Sequence, residues 1–206
     1  MQDPAALPQG WHWGGSAQLP LQVPPDVYLP AEDSLLLSAV LTTLPLPAVG
    51  PIVEVGCGAG LQALTLAARG ASVIATDTNP AAVRCLQRNA LRLGLSDRIH
   101  VVRCDLLSAL AEPAGLIVCN PPYLPSEPQE REDPLSRAWD GGVDGGTQVR
   151  RLLAELDRGL RPQGRLVLLL SSLTGIDLAA ELPQRTVRVL AREPHFFERL
   201  TVYEVA

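Results

Sequence analysis

Residues 52–60 read I-V-E-V-G-C-G-A-G, an apolar run that leads directly into a loop with three glycines. The run is short, rich in β-branched residues and bounded by Pro51 and Gly56, which predicts a buried strand. Glycine allows a tight turn and the close approach of a ligand to the main chain. A helix predicted from residue 61 would point its partly positive N-terminus at this loop. The stretch therefore predicts the first strand-to-helix turn of an α/β domain, with a ligand bound at the turn.

Strand and helix patterns alternate along the rest of the chain. Further strands are predicted at 71–76, 99–103, 116–119, 165–170, 185–191 and 199–205, and helices at 61–69, 80–93, 147–160 and, more briefly, 175–182. This alternation is typical of right-handed crossovers and a parallel sheet. The last two strands have no helix between them. We therefore expect a doubly wound, Rossmann-like, mostly parallel seven-stranded sheet with an antiparallel hairpin at one edge.

Residues 1–30 are rich in Pro and Gly and predict an irregular lead-in, with a short strand near 19–23. Trp11 and Trp13 could line a substrate groove or pin this segment to the domain. Asp33 and Ser34 precede an apolar run, which predicts a helix with an acidic or hydroxyl cap. Residues 31–206 are then expected to form a single catalytic domain, in which 124–146 is a long loop.

The composition disfavours several classes of protein. The net charge of −5 over 206 residues disfavours non-specific nucleic acid binding, although a local basic patch would be compatible with it. The four cysteines form no C-x-x-C pair and have no histidine at ligand spacing, so we expect no metal site and reduced thiols. Neither a long apolar span nor a secretory leader is visible. These features predict a cytoplasmic protein with no membrane partner.

The spacing of the glycines and acids restricts the class of ligand that the loop could bind. Gly56, Gly58 and Gly60 follow G-x-G-x-G, whereas the dinucleotide pattern is G-x-G-x-x-G. Glu54 would repel a pyrophosphate and favour the ammonium and sulfonium groups of S-adenosyl-L-methionine. Asp77 stands at the end of the next predicted strand, where a carboxylate can bind both ribose hydroxyls; its alternative role is to cap the following helix.

A further acid follows the third predicted strand of this series. Asp105 could accept a hydrogen bond from the adenine amino group, with Leu106 packed on the ring; alternatively, Asp105 could form a turn.

The fourth strand of this series ends in V-C-N-P-P-Y, residues 118–123. Two prolines fix φ and make the turn rigid. The Asn120 side-chain oxygen and the Pro121 carbonyl are two acceptors, and Tyr123 offers a flat ring. Two acceptors beside a ring suit a planar nitrogen with two hydrogens, such as an amide or an exocyclic amine. Holding both hydrogens would align that nitrogen with a methyl donor and stabilise its developing positive charge. A simple strand-ending turn could use the same residues.

Together, VEVGCGAG, ATDTNPAAV, VCNPPYLP, VYLPAEDSLLL and WDGGVDGG resemble the class I S-adenosylmethionine-dependent methyltransferases of the HemK/PrmC family, the release-factor glutamine N5-methyltransferases. The resemblance implies the class I methyltransferase fold, with S-adenosyl-L-homocysteine as the product. It implies that a glutamine amide in a Gly-Gly-Gln loop is held by the catalytic residues Asn120, Pro121, Pro122 and Tyr123. It also implies cofactor contacts from Ser34, Glu54, Gly56, Cys57, Gly58, Gly60, Asp77, Asp105, Leu106 and Asn120.

The stretch VYLPAEDSLLL resembles the opening element of the short branch of that family in particular. The sequence departs from the longer members, because their helical N-terminal domain has no expected counterpart before Ser34. The short branch commonly works with a small activator subunit, which this sequence neither requires nor excludes. The main alternative is an adenine or guanine N-methyltransferase acting on DNA or RNA. A ribosomal-protein glutamine, a non-catalytic binding module and a nicotinamide-dependent oxidoreductase are further alternatives. The last is disfavoured by the glycine spacing and by the lack of a proton donor near the crevice.

Overall fold

A computed structural model describes Gln9, residues 12–125 and residues 139–206 of the chain. Trp11 and the side chain of Trp13 lie outside the described part, so their two interpretations stay predictions. Near the N-terminus, β1 (His12–Gly15) and β2 (Pro20–Val23) form an antiparallel hairpin that is separate from the main sheet. The strand predicted near 19–23 is confirmed, but the lead-in is not irregular over the hairpin.

Within the described residues, the main sheet has seven strands: β3 (Ile52–Val55), β4 (Val73–Asp77), β5 (Ile99–Arg103), β6 (Ala114–Cys119), β7 (Leu160–Ser171), β8 (Val187–Pro194) and β9 (Arg199–Val205). Their order is β5-β4-β3-β6-β7-β9-β8. Strands β3 to β7 run parallel, and β9 is antiparallel to both β7 and β8. The predicted α/β class and its antiparallel edge are confirmed.

Helices cover both faces of this sheet: α1 (Glu32–Thr43), α2 (Leu61–Ala68), α3 (Pro80–Arg92), α4 (Thr147–Ala154), α5 (Leu156–Gly159) and α6 (Leu178–Glu181). One core layer joins α1, α2 and α3 to the sheet, and a second layer joins α4, α5 and α6 to its other face. Strand β3 is buried on both faces, since Ile52 packs in the first layer while Val53 and Val55 pack in the second. This explains why its sequence is apolar without alternation.

Two helix predictions need correction. The helix expected at 147–160 is interrupted at Glu155, and Leu160 already belongs to β7. The Glu155 carboxylate accepts the backbone N–H of Leu107, a tertiary contact that the local sequence does not reveal. Helix α1 begins before its predicted cap: Ala31 is the N-cap residue without a side-chain bond, and Asp33 lies inside the first turn. The Asp33 carboxylate instead faces the residues at the end of β6.

The strand order determines where on the sheet a ligand-binding site is expected. The chain passes from β3 outward to β4 and β5, and then returns to the other side of β3 with β6. The carboxyl ends of β3 and β6 are therefore neighbours at a point where the order reverses, which is where α/β sheets bind ligands. Among the helices of the described part, none is both long and apolar enough to cross a membrane. No group of three metal-ligating side chains is found in the same residues.

Candidate active site

A cleft of about 650 Å³ lies at the carboxyl ends of β3, β4 and β6, a size suited to a small-molecule ligand. Twelve of the thirteen predicted site residues line it: Ser34, Glu54, Gly56, Cys57, Gly58, Gly60, Asp77, Asp105, Leu106, Asn120, Pro121 and Pro122. Tyr123 lies beside this wall instead, half-buried against the first core layer. The fold thus brings together residues that are spread over nearly ninety positions of the sequence.

The glycine loop exposes its main chain to the cleft. Gly56 and Gly58 have φ values of 71° and 50°, and a side chain at either position would meet no protein atom within 4 Å. Gly60 differs, because a side chain there would collide with Leu86. We therefore infer that position 60 requires glycine for the packing of α2 against α3. Gly56 and Gly58 are the residues that leave the main chain of the loop open to the cleft.

Asp77 ties the loop to the end of β4. Its Oδ2 accepts the backbone N–H of Gly58 at 2.9 Å, and its Oδ1 accepts that of Asn79 at 2.8 Å. Asp77 is not the cap of α3, since Asn79 fills that role through its bond from the Ala81 N–H at 2.8 Å. Burial raises the pKa of Asp77. Each carboxylate oxygen retains a free lone pair, so Asp77 could still accept from ribose hydroxyls.

Glu54 is a buried carboxylate in the wall of the same cleft, only 3% exposed. Its Oε2 accepts the backbone N–H of Ala63 in the first turn of α2 at 2.9 Å. Burial raises the pKa of Glu54 well above its usual value, and the nearby charge of Asp77 adds to the rise. A cation bound beside these two acids would favour their ionised forms. This corner is therefore suited to a positively charged ligand.

Asp105 already has a protein partner, which its sequence context did not indicate. Its Oδ2 forms an ion pair with Arg151 on α4 at 2.5 Å, with roughly half of each side chain exposed. Arg151 was not predicted, because nothing in the local sequence links α4 to the end of β5. Leu106 adopts a left-handed φ of 47°, and its carbonyl accepts from the Thr76 hydroxyl at 3.1 Å. This unusual conformation is held in place from β4.

Asn120 has a fixed orientation. Its Nδ2 donates to Asp33 Oδ2 at 3.0 Å and lies 3.3 Å from the Ser34 hydroxyl. Because an ionised carboxylate can only accept, the amide nitrogen must face Asp33 and the amide oxygen must face away. That oxygen, Oδ1, is buried and has no hydrogen-bond partner in the described structure. Buried acceptors are nearly always paired, so an unpaired one in a cleft wall indicates a site for a donor from a ligand.

Asp33 is the residue that sequence analysis undervalued. It is 4% exposed, and its Oδ1 accepts the backbone N–H of Ser34. The Tyr28 hydroxyl donates to it at 3.2 Å, and the Tyr123 hydroxyl lies 3.5 Å from Oδ2. Burial first, and then the charge of Asp33, raises the pKa of both tyrosines, which therefore stay protonated as donors. The sequence signal that could have identified Asp33 as a site residue was its position immediately before Ser34.

The loop after the diproline is braced by a later segment. Leu124 pairs with the backbone at residues 139–141: its N–H donates to the Trp139 carbonyl, and its carbonyl accepts from Gly141, each at 2.9 Å. Gly145 approaches the Tyr123 carbonyl so closely that no side chain could fit there. The sequence WDGGVDGG therefore supports the NPPY turn from outside. Residues 126–138, the middle of the long loop predicted at 124–146, lie outside the described part.

The residues present fit S-adenosylmethionine. The open main chain at Gly56 and Gly58 and the acids Glu54 and Asp77 suit a nucleoside that also carries positive charge. A second buried acceptor without a partner in the described structure, Gln62 Oε1, belongs to a residue of the same wall.

The two buried cysteines near the cleft are not suited to covalent catalysis. Burial raises the pKa of the Cys57 and Cys119 thiols, so neither provides a thiolate nucleophile.

Comparison with known proteins agrees with this site. The family described as "Methyltransferase small domain" matches residues 33–133. A Methanocaldococcus jannaschii protein, named provisionally as a protein N5-glutamine methyltransferase, is 36% identical over 157 residues, which is 75% of this chain and 77% of that protein. The release factor glutamine methyltransferase of Gloeobacter violaceus is 34% identical over 196 residues, 90% of this chain and 64% of that enzyme. This chain thus spans less than two thirds of the bacterial relative.

A solved structure shares the fold at low identity. It is the Thermus thermophilus 16S rRNA N2 G1207 methyltransferase, in complex with AdoMet and guanosine, with a TM-score of 0.65 and 19% identity over 95% of this chain and 44% of that one. The fold, the residues of the cleft and the sequence relatives all indicate a methyltransferase. The chain belongs to the family of S-adenosylmethionine-dependent N5-glutamine methyltransferases in which the release factor glutamine methyltransferases are found.

Proposed function

We propose that this chain transfers a methyl group from S-adenosylmethionine to the side-chain amide nitrogen of a glutamine, in the Gly-Gly-Gln loop of a peptide-chain release factor. The methyl–sulfur bond breaks as the methyl–nitrogen bond forms, which leaves S-adenosylhomocysteine, and the nitrogen releases one of its two protons to solvent. The observation that carries the proposal is the buried Oδ1 of Asn120, an oriented acceptor without a protein partner in the described structure, at the end of β6. The names of the bacterial relatives supply the release factor as substrate.

The proposed role of Asn120 follows from the chemistry of an amide. The lone pair of an amide nitrogen is delocalised, so the nitrogen is a weak nucleophile. When bound, S-adenosylmethionine supplies an electrophilic methyl group on a sulfonium. Asn120 Oδ1 and the Pro121 carbonyl would accept the two N–H bonds of the substrate amide, which orients the nitrogen and stabilises its developing positive charge. Asp33 and Ser34 would keep Oδ1 aimed at the substrate by holding Nδ2.

An exocyclic amine of a nucleic acid base would present the same two hydrogens to the same acceptors. The net charge of −5 argues against that substrate, because a nucleic acid backbone requires basic surface. We therefore keep the protein amide as the proposal and make nucleic acid an outcome of the experiment. A requirement for a small activator subunit and a cytoplasmic location both stay predictions.

The experiment is a substrate comparison with a labelled methyl donor. The chain is incubated with a release factor that contains Gly-Gly-Gln, with the same factor carrying Ala in place of that Gln, with a ribosomal protein fraction and with total RNA. We expect label only in the unmodified release factor. Label in RNA alone, or equal label in the Gln-to-Ala factor, would overturn the proposed substrate. If no acceptor is labelled, adding a small activator subunit tests whether one is needed, and continued inactivity would overturn the proposed reaction.

A further inference from the structure

The two phenylalanines of the chain are both on its surface. The chain contains only two Phe residues, and these, Phe196 and Phe197, are 92% and 85% exposed. They occupy the turn between β8 and β9, where the His195 N–H donates to the Glu198 carbonyl at 2.7 Å. Such turns usually carry Gly, Asn, Asp or Pro. The core is built from aliphatic residues and does not use these rings, so folding gives no reason for them.

The hairpin turn lies at the same edge of the sheet as the cleft. Leu200 of β9 pairs with Ser171 at the carboxyl end of β7, and the Ser171 hydroxyl donates to Glu198 in the turn. Strand β7 is the neighbour of β6, which ends in the NPPY turn. Two strand spacings separate β9 from β6, a distance of about 10 Å. Burial and the charge of Asp33 are the main causes of the raised pKa of Tyr123, and the charge of Glu198 in the turn adds to them.

Three further exposed apolar side chains belong to segments at this edge of the sheet. Leu124 follows β6, Leu173 follows β7, and Val143 lies in the loop that braces the NPPY turn. These side chains are 36%, 42% and 78% exposed. We call Leu124, Val143, Leu173, Phe196 and Phe197 the apolar rim. Exposed apolar residues are ordinary when scattered, but several of them at the sheet edge that carries a functional cleft indicate an interaction site.

We propose that the apolar rim docks the protein substrate, by contacting the folded surface of the release factor beside its Gly-Gly-Gln loop. The inference rests on the proposed function. The proposed cofactor residues of β3, β4 and β5 occupy the other half of the edge, so a polypeptide that reaches Asn120 must pass over the β6, β7 and β9 side. Aromatic side chains are enriched in the centres of protein interfaces, where a few of them supply most of the binding energy.

The charges around the turn favour a protein over a nucleic acid. Arg192 and Arg199 are balanced by Glu193 and Glu198, so the turn offers no net positive charge to a phosphate backbone. Exposed rings could also stack on unpaired bases. That alternative predicts a loss of RNA labelling, rather than of release-factor binding, when the rings are removed.

The test separates docking from chemistry. We compare wild type with a double variant, Phe196→Ser and Phe197→Ser, on an intact release factor and on a short synthetic peptide containing Gly-Gly-Gln. For the intact factor we expect KM to rise about tenfold or more with kcat little changed. Kinetics with the peptide and the affinity for S-adenosylmethionine should stay at wild-type values. Leu91→Ser, which alters a 72% exposed apolar residue on α3, is the matched control and should behave as wild type.

Each of four other outcomes would overturn the docking proposal, and one of them would also overturn the proposed function. An unchanged KM for the release factor, with an active wild type, would overturn the docking proposal and leave the proposed function intact. An equal loss on peptide and intact factor would mean that the turn acts through the cleft, which also overturns docking. Loss of RNA labelling instead would indicate a base-stacking surface and overturn docking of a protein. A wild type that labels no glutamine, even with an activator subunit added, would overturn the proposed function and the docking with it. The variant Phe196→Leu with Phe197→Leu should retain most of the docking, since it keeps the apolar area.

Discussion

The two sides of the cleft are built in different ways. The proposed cofactor side, formed by Gly56, Gly58 and Asp77, is closed by a backbone-to-carboxylate bond that spans 19 residues. The acceptor corner, formed by Asn120, Pro121, Asp33 and Ser34, is held by side-chain bonds that span 86 and 87 residues. Asp77 has both oxygens bonded to protein N–H groups, whereas Asn120 keeps one buried oxygen without a partner in the described structure.

The difference indicates that the two sides of the cleft have different roles, one in binding the cofactor and one in the reaction. A site whose polar groups bond one another is preformed and can bind a ligand without rearrangement. A buried acceptor without a donor costs about 1–3 kcal/mol, which a donor from the substrate can offset. We therefore expect mutations on the cofactor side to change affinity for S-adenosylmethionine, and mutations in the acceptor corner to change turnover. The following predictions test that separation.

Asn120→Ala should have the largest effect. We expect kcat to fall by about 10²–10³, because a preorganised polar contact to the transition state is lost. Affinity for S-adenosylmethionine, measured by calorimetry, should stay nearly unchanged. If affinity fell as far as turnover, Asn120 would belong to the cofactor side and the separation would fail.

Asp33→Asn should reduce kcat by about tenfold to a hundredfold, because Asn120 loses the charged acceptor that fixes its amide. Cofactor affinity and KM should change little, which is the readout that a purely structural role would not reproduce. Glu32→Gln is the matched control, since Glu32 is an exposed acid in the same turn of α1. Equal losses in the two variants, measured on folded protein, would remove Asp33 from the acceptor corner.

Asp77→Ala should weaken binding of S-adenosylmethionine by about tenfold to a hundredfold, as expected for a lost charge-assisted hydrogen bond. It should also free the Gly58 N–H, which loosens the loop. Asp97→Ala is the comparison, because Asp97 is exposed in a short 3₁₀ turn before β5. Titration calorimetry that gave the two variants the same affinity would contradict the assignment of Asp77.

Arg151→Ala should have the smallest effect. The ion pair with Asp105 is about half exposed, and such pairs contribute up to about 1 kcal/mol, so affinity should change no more than about fivefold. The effect should shrink further at high salt. Arg158→Ala, which breaks a partly exposed pair with Glu155, serves as control. A loss as large as that of Asp77→Ala would mean that Arg151 contacts the ligand directly.

Structure is predictable from this sequence where a single segment carries the whole signal. The run at 52–60 predicted β3, its loop and α2, because local periodicity and glycine spacing are sufficient for a strand-to-helix turn. Prediction failed where a contact joins distant segments: Asp33 was read as a helix cap, and the break at Glu155 was not foreseen. The β1–β2 hairpin was half missed for a similar reason, since Asn89 on α3 bonds both the N–H and the carbonyl of Gln22 in β2.

The amino-acid sequence by itself determined the α/β class, the glycine loop, the acid at the end of β4 and the rigid NPPY turn, since each depends on backbone preferences within a few residues. Only the tertiary structure decided which way the Asn120 amide faces, which partner holds Asp105 and which edge carries the two phenylalanines. The physical reason is that a side chain's hydrogen-bond partner is chosen by proximity in space. The order of strands in the sheet sets that proximity, and local sequence preferences do not encode it.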